Sequence, residues 1–129
     1  MTQHPAATEL LASVSSFLRD ELLRSFNGAQ AFNLRVGINA IDLVRRELEQ
    51  GAEAAARERS RLAALLRSDS GLDAMRSALC REIACGALTL EQPALREHLR
   101  ATAMERMAID QPSYSAYLAG MARRRLERK

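Results

Sequence analysis

The sequence predicts an all-α fold, a single compact bundle of five to six helices with the second helix central. Three observations carry that expectation. Apolar residues recur at helical spacing, as at Leu10, Val14, Phe17, Leu18 and Leu22. No stretch alternates apolar and polar residues in the manner of a half-buried strand. The hydrophobic fraction is 47% with only 4% aromatic residues and no Trp. The core must then be built from Leu, Ala, Ile, Val and Met, a mixture that favours helices.

A chain of 129 residues suits one domain and can bury roughly two-thirds of its unfolded surface without staples. One helical domain is expected over residues 1–129, with a flexible arm over 1–7 and a basic last turn or tail over 123–129. The first segment, near 8–26, has Thr8 as its expected N-cap and Asn27-Gly28 as its stop. The second, near 29–50, carries apolar residues on two faces: Phe32, Val36, Ala40 and Leu43 on one, Leu34, Ile38, Ile41 and Leu48 on the other. A helix apolar on two sides is expected to pack on two sides. Gly51 is its expected stop.

The third segment, near 52–67, has a thin stripe of Ala52, Ala55, Leu62 and Leu66, so a half-exposed outer helix is expected. Ser68 to Gly71 break the chain and offer capping oxygens. The fourth, near 72–85, turns Leu72, Met75, Leu79 and Ile83 inward, with Gly86 as C-cap. The fifth begins near Thr89 or Gln92, at capping-box spacing with Pro93 in its first turn. Its inward face is Leu95, Leu99, Thr102, Ala103 and Arg106. The sixth, near 113–128, faces inward with Tyr114, Leu118 and Met121.

Charge and motifs narrow the function classes. The net charge is +3, but residues 123–129 hold five cations and one anion, so the rest of the chain is near neutral. A nucleic-acid binder carries a basic stripe across its folded surface; basic residues in a last turn complement the helix dipole. Nucleic acid is therefore not an expected partner. The chain start has neither a basic n-region nor an apolar h-region, and no run reaches the roughly 18–20 apolar residues of a membrane span. A cytoplasmic protein that engages no membrane is expected.

Cys80 and Cys85, five apart on one helix, point about 140° away from each other, which suits small buried residues rather than a shared metal or disulfide. His98 reads as a lone surface histidine. No phosphate loop, nucleophile elbow or metal spacing is found, so no catalytic residue, metal or cofactor is assigned. Whether the chain is an enzyme stays open, leaning towards not.

The informative residues are polar ones set within apolar faces: Glu21 among Val14, Phe17 and Leu18, Arg35 beside Asn39, and Arg106 with Leu95, Leu99 and Thr102. Counting outward from Asn27-Gly28 brings Glu21 within reach of Arg35, with Asn39 alongside. Arg106 and Asp110 are four apart and can pair across one helical turn. Asp110 could instead cap the last helix. Glu21, Arg35, Asn39, Arg106 and Asp110 are thus a candidate buried polar cluster that fixes register, or a site for an anion clamped by arginine.

Four blocks in order, TELLASVSSFLRDEL, AFNLRVGINAIDLVRREL, LCREIACGAL and LRATAMERMAIDQPSY, resemble a bacterial family of small proteins of unknown function. That family is encoded beside aminoglycoside-phosphotransferase-like kinases and acyl-CoA dehydrogenases. The resemblance runs to about Tyr114 and includes Glu21, Arg35, Asn39, Arg106, Asp110 and Pro112. Family members commonly have Asn where Gln111 stands. The resemblance implies no catalytic residues. It implies a non-catalytic accessory protein working with a kinase-like or dehydrogenase partner in acyl-CoA or fatty-acid catabolism. A homo-oligomer is also compatible, with the third and sixth segments as candidate contacts. The alternative is a protein or enzyme that binds a small anion at Arg35, Asn39 and Arg106.

Overall fold

Five α-helices follow one another: α1 Ala7–Phe17, α2 Gly28–Leu66, α3 Leu72–Ala84, α4 Pro93–Asp110 and α5 Ser115–Glu127. They are seen in a computed structural model, of which residues 4–129 are described. The described residues contain no strand, and the all-α expectation stands. Of the arm expected over 1–7, residues 1–3 lie outside the described residues and Ala7 opens α1.

The ends of the elements follow local chemistry. Ala6, not Thr8, is the N-cap of α1, and its N–H donates to the Glu9 carboxylate at 3.0 Å. After Phe17 the helix widens into a π turn, Leu18–Leu22, and then tightens into a 3-10 turn, Leu23–Ser25. Gly28 takes a left-handed φ of +57°, which a glycine adopts without steric cost.

The predicted break at Gly51 is absent: the second and third segments form one helix of 39 residues. A glycine within a helix costs about 1 kcal/mol relative to alanine, too little to stop a run of strong helix formers such as Ala52 to Leu66. The Glu47 carboxylate fills the space beside Gly51, 2.7 Å from where a Cβ would stand. The helix ends instead at Leu66, followed by Arg67 with φ of 51°, and the Ser68 N–H bonds back to the Ala63 carbonyl.

Gly86 (φ 79°) follows α3 as expected. Pro93 opens α4, preceded by the Thr89 N–H donating to the Gln92 side chain at 3.0 Å. Asp110 is the last residue of α4, and the N-cap position of α5 is held by Tyr114.

Contacts gather into two units, Met1–Gly51 and Ala52–Lys129. In the first, α1 and α2 turn Leu11, Ser15 and Leu18, and Ala31, Leu34 and Ile38, away from solvent to differing degrees. The expectation of two packed faces on α2 is corrected: Ile38 is 2% exposed, whereas Phe32 on the other face is 63% exposed. Val14 and Phe17, expected inward, are also exposed.

In the second unit the core is Leu62, Met75, Leu79 and Leu95, flanked by Leu65, Leu66, Leu72 and Leu88. Leu62, assigned to a half-exposed helix, has no exposed surface at all. Ile83, Leu99, Tyr114, Leu118 and Met121 were expected inward and are exposed. Both cysteines are exposed rather than buried. Cys80 follows the buried Met75 by five residues, which turns it about 140° from the core stripe.

Candidate functional site

The five polar residues singled out in the sequence do not all behave alike. Glu21, Arg35 and Asn39 belong to the first unit, and all three are exposed. The expected Glu21–Arg35 pair does not form among the described ion pairs. Arg106 and Asp110 belong to the second unit and do meet. The guanidinium grips the carboxylate through two bonds, one of them Nε to Oδ2 at 2.7 Å, at i,i+4 spacing, but Arg106 is exposed, so the pair lies on the surface and not in the buried cluster expected of it.

A part-buried polar cluster lies elsewhere in the second unit, between α2 and α4. Arg61 reaches from α2 to α4 and donates to both oxygens of Glu105, at 3.1 and 2.7 Å, and to the Thr102 hydroxyl at 3.2 Å. Arg57, one turn earlier on α2, adds a 2.8 Å bond to the same carboxylate. Beside them the Glu58 carboxylate accepts two bonds from Arg76 of α3, at 2.8 and 2.6 Å. Arg76 also reaches Asp73 at 3.2 Å.

His98 sits next to this network. It is 4% exposed and its Nδ1 is buried without a hydrogen-bond partner, as is the Nε of Arg61. This corrects the reading of His98 as a surface residue. The signal was present in the sequence: Leu95, His98, Thr102, Glu105 and Ile109 fall at 3,4,3,4 spacing on one stripe of α4. Three polar residues within an apolar stripe announce a buried network. The neighbouring stripe through Leu99 and Arg106, expected inward, is exposed.

The electrostatics follow from that geometry. The bonds from Arg76 pull the Glu58 carboxyl below its ordinary value and outweigh the opposing effect of burial. Burial pushes Glu105 up, but the bonds from Arg61 and Arg57 overcome it and leave the group low. Burial, then the nearby Arg61 charge, hold His98 below the ordinary histidine value, against the pull of Glu58 and Glu105. The cluster is two carboxylates held charged by arginines around an imidazole held neutral. Both carboxylates are committed to their arginines, so neither stands ready to move a proton to or from His98.

A cavity of about 440 Å³ opens beside His98, bordered by Arg61, Leu65, Arg67, Leu88 and Gln92. A smaller one of about 240 Å³ lies between Leu66, Ser70, Met75, Glu82 and Leu88. Among the described residues no three His, Cys, Asp or Glu side chains cluster as metal ligands. No described helix is long and apolar enough to cross a membrane.

A family described as a domain of unknown function, DUF6285, matches residues 24–114. The match ends where the sequence resemblance ends, at Tyr114, and begins after the TELLASVSSFLRDEL block. No curated protein and no solved structure matches the chain.

Proposed function

The chain belongs to the DUF6285 family, and from that premise we propose that it is a non-catalytic accessory protein that works by binding another protein. The observation that supports this is the apolar surface of the first unit. Leu10, Val14, Phe17, Phe32, Val36, Val44 and Leu48 are each about half exposed or more. Single exposed apolar residues are ordinary, but concentrated patches mark interaction sites. The polar network of the second unit fits the same reading, because its charges are spent on one another.

The kind of partner comes from the sequence resemblance: a phosphotransferase-like kinase or an acyl-CoA dehydrogenase in acyl-CoA or fatty-acid catabolism. The test is co-purification of the tagged chain with each candidate. Capture of either at micromolar concentration is expected, and capture of neither overturns the reading.

A second reading, a site for a small anion, is favoured by the cavity beside His98. Arg67 borders that cavity, and its guanidinium has no partner among the described hydrogen bonds and ion pairs. This reading moves from Arg35 and Asn39 to Arg67 and to His98 with its buried Nδ1, residues that both border that cavity. Inorganic phosphate or acetate should then raise the melting temperature of the protein, and should not do so after Arg67→Ala. An unchanged melting temperature with both anions overturns it.

A further inference from the structure

The first unit leaves one side of its helical hairpin apolar, and we propose that a second copy of the chain covers it, so that two hairpins close as a four-helix bundle. The proposal rests on the reading above, that the protein acts through apolar contacts, and it names the occupant of one face.

Helix α1 carries two seams. The inner one, Leu11 and Ser15, continued by Leu18 of the π turn, is buried or half-buried. The outer one, Ala7, Leu10, Val14 and Phe17, has the alternating three- and four-residue spacing of a coiled-coil seam, and every member is exposed. Helix α2 has a second seam too, exposed except at the half-buried Ile41. Taking about 100° per residue from the buried Ile38, Val44 lies about 120° and Leu48 about 80° to one side. Gly37 and Ile41 fall on that same side, and Phe32 on the other. The second seam of α2 is therefore Gly37, Ile41, Val44 and Leu48.

The two outer seams share one side of the hairpin. Val14 and Leu10 are rotated from Ser15 in the same sense that Val44 and Leu48 are rotated from Ile38. In an antiparallel pair of right-handed helices, equal senses lead to the same side. The bond from Ser15 to Asp42 sets the register, which brings Val14 within a turn of Val44 and Leu10 within a turn of Leu48.

Two properties of the face select a second copy as its occupant. None of the eight seam residues carries a charge, so the face specifies no oppositely charged partner and can meet its own image across a two-fold axis. A two-helix hairpin also supplies half of what a four-helix bundle needs. The area is of the right order. Leu10, Val14, Phe17, Val44 and Leu48, each about half exposed, offer about 450 Å² per copy, or about 900 Å² for the pair, against a threshold near 1,000 Å² for a specific interface. Ala7, the half-buried Ile41 and the bare backbone at Gly37, where a Cβ would meet nothing within 4 Å, add the remainder. Phe32 and Val36 stay free on the other side of α2.

Sedimentation equilibrium of the full chain tests this. At about 50 µM the expected mass is twice 14.3 kDa, with a melting temperature that rises with protein concentration. Val14→Glu combined with Val44→Glu should give a monomer with unchanged helical circular dichroism. Val36→Glu should leave the dimer intact. A wild-type mass of 14.3 kDa, or a dimer that survives the double change, overturns the proposal. If the double variant loses its helical signal, Leu10→Lys alone gives the same reading at the exposed end of the seam. A monomeric wild type that still captures a kinase or dehydrogenase overturns the dimer and leaves the proposed function standing. A dimer that captures neither does the reverse.

Discussion

The Ser15 hydroxyl donates to the Asp42 carboxylate at 2.7 Å, 27 residues along the chain, and the other carboxylate oxygen receives Arg19 at 2.5 Å. Ser15 is 2% exposed, so this polar group sits within the hairpin contact and fixes its register. Ser15→Ala is expected to destabilise the protein by about 1–2 kcal/mol, because a charged acceptor loses a part-buried donor. Urea denaturation followed by circular dichroism measures it. The same change should raise the Asp42 pKa, since burial already pushes that group up and the Ser15 bond is the first of the contacts that hold it down.

Glu105 joins two arginines of α2 to α4. Glu105→Ala removes the acceptor and leaves Arg61, only 23% exposed at its side chain, with Thr102 as its remaining partner in the network. The expected loss is about 1–3 kcal/mol, below that of a fully buried pair because the site is partly open to water. Glu105→Gln should recover part of it. An unchanged denaturation midpoint would mean that the network adds nothing to stability.

His98 makes stability depend on pH near neutrality. Its folded pKa lies below the ordinary 6.5, so the unfolded chain takes up a proton that the folded chain resists. Stability then falls as pH drops below about 6.5 towards the folded value. Glu58 and Glu105 are held below their ordinary 4.5, and their contribution is present above that value and lost as pH falls through their folded values. Thermal melts between pH 8 and 3 should show two stages of loss. His98→Leu should abolish the first, with stability at pH 7 unchanged or raised, because a buried unpaired nitrogen is removed. Persistence of the first stage in that variant would assign it to another group.

Leu62 has no exposed surface and packs with Met75, Leu79 and Leu95. Leu62→Ala should cost about 2–5 kcal/mol through lost burial and the cavity left behind. Phe32→Ala, at a position 63% exposed, should change stability by less than about 1 kcal/mol in the single chain. Parallel denaturation curves of the two variants separate a packed position on α2 from an open one.

Much of this fold was legible because helices announce themselves by period. The α3 and α4 stripes led directly to Met75, Leu79 and Leu95. The glycines were less decisive. Gly28 and Gly86 take left-handed angles, whereas Gly51 continues a helix, because a glycine stops a helix only where the flanking residues do not offset its cost. The Glu21–Arg35 pairing failed for a geometric reason. Counting from the turn assumed regular helix as far as Phe26, while residues 18–25 wind first as a π turn and then as a 3-10 turn. Each advances by a different angle per residue, so side chains beyond that segment leave the expected phase. His98 was missed because two stripes of α4 carry polar residues, and spacing alone does not say which of them meets α2.

The wide turn at Leu18–Leu22 also bears on how chains of this kind can differ in length. A π turn holds one residue more than the α turn it replaces, and here the chain then tightens into the 3-10 turn at Leu23–Ser25. Removing one exposed residue there, Asp20 for instance, would return the segment to ordinary helix while Ser15 keeps its place opposite Asp42. A chain one residue shorter between Phe17 and Leu23 would therefore be expected to keep the same contact between Ser15 and Asp42. An alignment gap at that point would record the history of one helical turn and no change in the hairpin.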